Sequence, residues 1–388
     1  MKDLITDLSL ILAVGAVFSV LSIVLKQPIV LAYIFSGVAI GPWGLGWIHR
    51  ADFIASLSHL GITLLLFLAG LNLHPQKLVR VFRQVSLVTA ANALFSFLTA
   101  FAAARAFHFA TPDALGIGLA MMFSSTVLVV KLLPTTDLHH RHIGAVCIGV
   151  LILQDLMAVG VLAFLRCLEG ADWMQTAQRF LLLNVKLAVL IGILLFFEHY
   201  VLRKLMKRVE LFHEALFVLG LAWCFGIATL SDTMGLFYET GAFFSGVVLA
   251  RHGIATFIAE SLKPLRDFFL LLFFFTLGAG LDLGMLGQAA APALLLAAVF
   301  TVARPYVFKK AFMVSGENAA FSKEAGMRLG QLSEFSLLVA LLGLELGHLT
   351  RGAAQLIQLT TILTFIVSSY GVFRAYPTPI GGGSLKQD

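Results

Sequence analysis

Apolar runs of roughly 18 to 23 residues, the length of a membrane-crossing helix, recur along the whole of this chain. A helix rises about 1.5 Å per residue, so each run can cross a hydrocarbon core about 30 Å thick. Inside a bilayer every backbone polar group needs a partner within the protein, and a helix meets that condition within one segment. The pattern therefore predicts an all-α polytopic membrane protein.

Composition supports the same class, because 59% of the 388 residues are hydrophobic, 12% are charged and the mean hydropathy is +0.94. A soluble chain has too little interior to bury so much apolar surface. We predict about 13 transmembrane helices and no cleavable signal peptide. The predicted spans cover residues 4–25, 29–46, 54–73, 85–107, 114–133, 143–166, 180–201, 213–231, 236–252, 265–283, 291–313, 327–346 and 353–374.

The distribution of basic residues predicts the topology. Most of the 27 Lys and Arg residues fall in loops on one side of the predicted spans, and such loops are typically cytoplasmic. We therefore expect a bacterial inner-membrane protein with its N-terminus outside and its C-terminus in the cytoplasm. The net charge of +6 is then a consequence of topology, and no nucleic-acid partner is expected.

Internal repetition is the next strong signal. The tetrapeptide Phe-Ser-Gly-Val occurs at residues 35–38 and returns at 244–247, and Gly70 in LLLFLAGLNL is matched by Gly278 in LLFFFTLGAGLDL. A polar cluster in span 5 is matched by a second in span 12. The two clusters are Ser124, Ser125 and Thr126, and Gln331, Ser333 and Glu334.

The two members of each match lie seven spans apart. Because seven is odd, the two matched helices cross the membrane in opposite directions. The sequence thus predicts two inverted six-helix repeats around span 7, an architecture typical of secondary transporters. In such folds the binding site lies near the midplane, where corresponding helices are broken. We expect spans 5 and 12 to be discontinuous at their polar clusters.

Asp155 is the most informative charged residue, because it follows Gln154 in the middle of an apolar stretch from Ile143 to Leu165. A carboxylate at bilayer depth costs at least about 2.5 kcal/mol, so it is rare unless it binds something. Hydroxyls and freed carbonyls near Ser124, Ser125 and Thr126, with this carboxylate, form an oxygen cage suited to an alkali cation.

One carboxylate that holds either a proton or a cation couples the movements of the two. Because Gln154 is neutral, it adds no second charge beside Asp155. We therefore expect electroneutral exchange of one proton for one monovalent cation bound at Asp155.

Arg304, in span 11, is the other charge at membrane depth, and three roles are open to it. It pairs with Asp155 or Glu334 when the cation is absent, it neutralises the C-terminal ends of half-helices, or it extends to the cytoplasmic surface. Glu334, near Gln331 in span 12, is interpreted either as a carboxylate in a cytoplasmic access funnel or as half of a partly exposed ion pair with Arg304.

The His-rich stretch with His139, His140 and His142 permits metal binding or pH sensing near neutrality, but a hydrated cytoplasmic loop is favoured. No zinc-type His-Glu-x-x-His pair, Gly-x-Gly-Asp motif or Ser/His dyad occurs at membrane depth. The sequence thus predicts a transporter and not an enzyme.

Seven motifs carry a resemblance to a known family. They are GPWGL at Gly41, LLLFLAGLNLHPQKL at Leu64, SSTVLVVKLLP at Ser124, LILQDLMAV at Leu151, GAFFSGVVLA at Gly241, LFFFTLGAGLDL at Leu272 and GQLSEFSLLVA at Gly330. With these the chain resembles the cation:proton antiporter superfamily of the sodium/proton-exchanger fold, and within it the Kef-type potassium efflux branch.

The resemblance implies roles for individual residues. Asp155 carries the ion and the proton, Gln154 replaces the second Asp of electrogenic exchangers, Ser125 and Thr126 lie at the crossing of the broken helices, and Arg304 stands where Kef-type chains have a Lys. No cofactor is implied, and the transported ions are K⁺ or Na⁺ and H⁺.

The resemblance also implies an organisation. Residues 1–376 form a transmembrane antiporter domain in which spans 1–3 and 8–10 are a scaffold, spans 4–6 and 11–13 a core that moves as an elevator, and span 7 a linker. Residues 377–388 are expected to be a flexible cytoplasmic tail. The expected partners are membrane lipid, a second copy in a homodimer, and a cytoplasmic regulatory domain or subunit that this chain does not contain.

The function predicted from the sequence is therefore electroneutral K⁺/H⁺ antiport. Na⁺/H⁺ antiport is the nearest alternative, and a cation channel or a non-transporting sensor is the alternative from a different class.

Overall fold

A computed structural model describes residues 2–25, 27–48, 51–71, 75–132, 142–167, 173–209, 212–282, 284 and 286–376. The described secondary structure is helical. The helices are α1 (Lys2–Val24), α2 (Ile29–Ile40), α3 (Ala51–Leu71), α4 (Pro75–Ala106), α5 (Thr111–Ala120), α6 (Thr126–Leu132), α7 (His142–Cys167), α8 (Trp173–Phe197), α9 (Arg203–Val209), α10 (His213–Thr233), α11 (Tyr238–Leu249), α12 (Ile254–Ala279), α13 (Leu286–Val314), α14 (Ala319–Arg328), α15 (Glu334–Glu345) and α16 (Arg351–Ala375).

Seven helical stretches within the described ranges are long and apolar enough to cross a membrane. They are Ile5–Val24, Gln84–Ala106, His142–Leu165, Leu181–Leu205, Glu214–Thr233, Ala289–Val314 and Arg351–Ala375. Shorter apolar helices cover Ile29–Ile40 and His59–Leu71. The prediction of an all-α, multi-pass membrane protein is confirmed, and the count of 13 spans stays a prediction.

Several helix ends differ from the predicted spans. Span 2 was expected to reach residue 46, but α2 ends at Ile40 because the extended Gly41 precedes Pro42, and a residue before proline disfavours the helical conformation. Span 10 was expected to begin at residue 265, but α12 begins at Ile254 and continues through Pro264. The expected start marked the apolar part of this helix only.

The predicted seventh span also proves longer than residues 180–201. Helix α8 begins at Trp173, and a π-helical segment, Glu198–Leu202, joins it to α9, which ends at Val209. A wider π turn of this kind is a local insertion in an otherwise continuous helix.

The predicted breaks in spans 5 and 12 are present. Helix α5 ends at Ala120 and α6 begins at Thr126, while α14 ends at Arg328 and α15 begins at Glu334. A serine precedes each second half-helix and caps it: the Ser125 hydroxyl accepts from the Leu128 amide at 3.1 Å, and that of Ser333 accepts from the Phe335 amide at 3.1 Å. Serine hydroxyls compete with the helical ladder for backbone groups, which favours an interruption at these positions.

The chain divides into two compact units. The first comprises Met1–Arg50, Val79–Ala158 and Phe274–Asp388, and the second comprises Ala51–Leu78 and Val159–Phe273. In the first unit α16 packs against α13, α15 and α5. In the second, α11 packs against α3 and α10. All the residues of the candidate site described below belong to the first unit.

Glycines from the sequence repeats make close helix contacts in both units. In the first, a Cβ atom on Gly37 would lie 2.0 Å from the Phe275 carbonyl oxygen, and one on Gly278 would lie 1.9 Å from that of Ile34. Each helix therefore touches the backbone of the other through a glycine, as small residues permit in membrane proteins.

The second unit contains a contact of the same kind between α11 and α3. A Cβ atom on Gly246 would lie 2.1 Å from the Phe67 oxygen, and one on Gly70 would lie 2.2 Å from the Phe243 oxygen. Gly246 is the repeat match of Gly37, and Gly278 is that of Gly70. The recurring glycines thus serve equivalent contacts, while the inverted arrangement of the two halves stays a prediction.

We expect Gly246→Ala to destabilise the protein by about 1–3 kcal/mol, because the added methyl group would overlap backbone atoms that cannot move independently. Gly226→Ala on α10 is the matched control, since nothing lies within 4 Å of its added Cβ. That control should be neutral or stabilise by up to about 1 kcal/mol. The melting temperature in detergent is the measurement, and equal values for the two variants would contradict the close contact.

Candidate ion-binding site

The site begins with the stretch between α5 and α6, where the chain leaves its helical path. The Ser124 amide donates to Gln154 Oε1 at 3.0 Å, so the break is held against α7. Both side chains are fully buried. Gln154, predicted as a neighbour of the ion carrier, therefore positions the break and brings no charge to it.

Asp155 lies next to this contact and is 4% exposed. The Thr126 hydroxyl lies 3.2 Å from its Oδ1 and 3.3 Å from its Oδ2 and donates to this carboxylate. Asp155 and Gln154 on α7 thus meet Ser124 and Thr126 from the first break, as the sequence predicted. Ser125 is also buried there, but its hydroxyl accepts from Leu128 N and serves as a helix cap.

Arg304 on α13 is fully buried and binds the same break. Its Nη2 donates to the Phe123 carbonyl oxygen and to Ser124 Oγ, both at 2.9 Å, and its Nη1 donates to the Met121 oxygen at 3.4 Å. Of the three roles open to Arg304, the structure shows the second, in which its charge lies at the C-terminal end of a half-helix. Its full burial excludes extension to the cytoplasmic surface.

Arg304 lies at the first break because the end of a helix leaves carbonyl groups that need hydrogen-bond donors. The Met121 and Phe123 carbonyls lie just beyond the last residue of α5, where the helix ladder stops and the negative end of its dipole is found. In a bilayer no water is available for them, so a buried cation with several donors satisfies both the charge and the hydrogen bonds. Arginine suits this position because its planar fork presents five N–H donors.

The second break has its own hydrogen bonds. Gln331 is buried and its Oε1 accepts from the Ser368 hydroxyl at 3.2 Å, and the Leu332 amide donates to Thr364 Oγ1 at 3.2 Å. Both partners lie on α16, which therefore holds this break as α7 holds the first.

Glu334 requires a correction. It was interpreted either as a carboxylate in an access funnel or as half of a partly exposed ion pair with Arg304, but it is 4% exposed and its Oε1 accepts from the Val127 amide at 3.3 Å. The reason is its position as the first residue of α15, directly after the Ser333 cap, which keeps it at the interior break. The carboxylates of Glu334 and Asp155 therefore contact consecutive residues of α6.

The sequence interpretation missed a polar face on α4. Thr89, Asn92 and Ser96 are all fully buried, and Asn92 Nδ2 donates to the Met122 oxygen in the first break at 3.4 Å. Their spacing of three and four residues within an apolar span is the signal that identifies one helix face.

Among the three histidines singled out from the sequence, His139 and His140 lie outside the described residues. His142 begins α7, and its Nε2 lies 2.7 Å from Glu317 Oε1, which also accepts from Gln84 Nε2 at 2.6 Å. In the part of the chain that the structure describes, no three His, Cys, Asp or Glu side chains converge as a metal site would require.

The residues at the first break provide a buried carboxylate, a hydroxyl and a fixed positive charge that is already bound to carbonyl groups. A buried carboxylate with only one hydroxyl donor is stabilised by gaining either a proton or a cation. The arrangement is therefore able to hold these two ligands alternately.

Arg304→Met should lower the melting temperature strongly, because each buried acceptor left without a donor costs about 1–3 kcal/mol. Arg304→Lys should give an intermediate value, since it keeps the charge but loses the fork. The control is Lys310→Met, which removes an exposed cation from the same helix. Melting in detergent measures the effect, and a loss no greater than that of the control would refute this role.

Comparison with known proteins identifies one family over nearly the whole chain. Residues 9–375 match the family described as sodium/hydrogen exchanger, transmembrane. The chain is 28% identical over 352 residues to the iron transporter MagA of Paramagnetospirillum magneticum (strain ATCC 700264 / AMB-1), and the match covers 90% of this chain and 80% of MagA.

The fold is similar to two solved structures of the sodium proton antiporter MjNhaP1 from Methanocaldococcus jannaschii. The structure at pH 8 has a TM-score of 0.72 at 18% identity and covers 95% of this chain and 96% of that one. The electron-microscopy structure has a TM-score of 0.67, also at 18% identity, and covers 97% and 99%. The fold is thus that of the antiporter MjNhaP1.

Proposed function

Because the chain belongs to the sodium/hydrogen exchanger family, we propose that it is an electroneutral monovalent cation:proton antiporter with K⁺ as its main cation. The observation that carries this proposal is Asp155, a buried carboxylate whose described hydrogen-bond donor is the Thr126 hydroxyl.

Competition for Asp155 provides the coupling. A proton and a cation each neutralise the carboxylate, so binding of one lowers the affinity of the carboxylate for the other. The Thr126 hydroxyl supports either state, since it donates to the ionised carboxylate and its oxygen lone pairs remain available to a bound cation. A site that must be neutral before it moves through apolar surroundings then exchanges one ligand for the other.

Two neighbours support a ratio of one proton to one cation. Gln154 is neutral and its Oε1 is used by the Ser124 amide, so it adds no charge. Arg304 donates to the Phe123 and Met121 carbonyls and Ser124 Oγ, so its charge serves the break. Asp155 is then the charged group that binds the proton and the cation in turn.

We further propose the organisation that the resemblance implies. Residues 1–376 act as one antiporter domain, in which spans 4–6 and 11–13 move as an elevator against spans 1–3 and 8–10, and two copies form a homodimer. The excess of Lys and Arg in one set of loops supports a cytoplasmic C-terminus in a bacterial inner membrane.

The choice of K⁺ rests on the resemblance to Kef-type chains. Na⁺ is the nearest rival, because sodium is the ion named for MjNhaP1. Iron is named for the relative MagA, so Fe²⁺ belongs in the same panel of tested cations. A comparison of K⁺, Na⁺, Li⁺, Rb⁺ and Fe²⁺ on one purified sample in liposomes would decide among them.

Asp155→Asn should abolish cation-dependent proton movement, because an amide neither ionises nor exchanges a proton. The protein is reconstituted into liposomes containing a pH-sensitive dye, and luminal pH is followed after KCl or NaCl is added. Asp113→Asn is the matched control, a buried carboxylate that accepts from the Thr350 amide and hydroxyl, both at 2.8 Å. Full activity in Asp155→Asn would overturn the proposal.

Electroneutral exchange should proceed at the same rate with and without an imposed membrane potential. A potential of about 100 mV changes the driving force by about 2.3 kcal/mol for each net charge moved, so an electrogenic cycle would respond clearly. The measurement uses the same liposomes with the potential set by an ionophore. Voltage-driven cation current without proton movement would instead identify a channel.

A further inference from the structure

The carboxylate of Glu334 has one oxygen that the protein leaves unused. Its Oε1 accepts from the Val127 amide at 3.3 Å, whereas its Oε2 is buried and has no hydrogen-bond partner among the described residues. The side chain as a whole is 4% exposed. A buried acceptor without a donor is unfavourable, so native proteins rarely keep one without a function.

The unused oxygen belongs to the same site as Asp155. Thr126 donates to Asp155 and the next residue, Val127, donates to Glu334, so one peptide unit separates the contacts of the two carboxylates. Two buried, ionised carboxylates held on consecutive residues of α6 repel unless a cation or a proton is bound with them.

The described hydrogen bonds do not supply that cation from within the protein. Both terminal nitrogens of Arg304 bind the first break, at the Phe123 and Met121 carbonyl oxygens and Ser124 Oγ. Arg328, the other fully buried arginine among the described residues, donates to Glu324 at 2.8 and 2.9 Å. A bound cation can therefore supply the positive charge that Glu334 Oε2 lacks, and a proton is the other source.

The position of Glu334 in the repeat supports this reading. Thr126 is the first residue of α6 and Glu334 is the first residue of α15, and each directly follows a capping serine. The two side chains thus start from equivalent points of the two breaks. One of them reaches the Asp155 carboxylate, and the other brings a second carboxylate to the same turn.

We propose that Glu334 is a direct ligand of the transported monovalent cation, which it binds through Oε2 together with the Asp155 carboxylate and the Thr126 hydroxyl. This inference rests on the antiport function proposed above. Glu334 keeps the same negative charge whether Asp155 holds the proton or the cation, so the exchange remains one proton for one cation. The cation then joins α6, α7 and α15.

The test is Glu334→Gln, measured in the same liposomes as wild type over a range of KCl and NaCl concentrations at constant ionic strength. The glutamine carbonyl still accepts from the Val127 amide, so the fold should be retained. We expect KM for the cation to rise at least about tenfold, because an amide oxygen is a much weaker ligand than a carboxylate. Glu345→Gln, at the exposed end of the same helix, should leave KM unchanged.

A second readout does not depend on transport. Cation binding to the folded protein raises its melting temperature in detergent, and this shift should need at least about tenfold more KCl or NaCl in Glu334→Gln than in wild type. If this variant does not fold, Glu334→Asp replaces it, since the shorter carboxylate keeps the charge but not the reach. An unchanged KM and an unchanged cation-induced shift would overturn the role of Glu334.

The two proposals fail separately. Exchange that is lost in Asp155→Asn but has a wild-type KM in Glu334→Gln would refute only the second carboxylate ligand. Absence of exchange in wild type would refute the antiport function, and the cation-induced melting shift would still decide whether Glu334 is a ligand.

Discussion

The structure depends on satisfying backbone groups that two broken helices expose where water is scarce. The Met121 and Phe123 carbonyls, just after α5, lie where the helix ladder has stopped, and the Arg304 guanidinium supplies both the donors and the opposite charge. This contact explains why an expensive buried arginine is retained. Because Arg304 binds the break, it does not pair with Asp155 among the described hydrogen bonds, as the exchange proposed above requires.

Each break is held by an adjacent continuous helix. Gln154 on α7 accepts from the Ser124 amide, and Ser368 and Thr364 on α16 bind the residues of the second break. A cation site needs its ligands held firmly, since small displacements of the oxygens weaken binding. The hydrogen bonds of these helices provide that support without adding charge. The proposed ion site and the helix interruptions are therefore parts of one arrangement.

The glycine contacts provide a second level of order. Gly37 and Gly278 in one unit, and Gly70 and Gly246 in the other, allow helix backbones to touch directly. Within a membrane the hydrophobic effect does not drive helix association, so close van der Waals packing has a larger part in it. The same glycines are those that recur in the sequence. The repeated glycine positions therefore correspond to repeated helix–helix contacts.

The sequence by itself determined the helical membrane class, the two breaks and the meeting of the Gln154–Asp155 pair with Ser124 and Thr126. These follow from apolar length, from serine capping and from the cost of a charge in lipid, all of which are local properties. Only the tertiary structure decided what Arg304 and Glu334 contact, because their partners are remote in sequence. Several acceptors compete for one arginine, and only their positions in space show that the carbonyls of the first break accept from it and that Glu334 lies beside Val127.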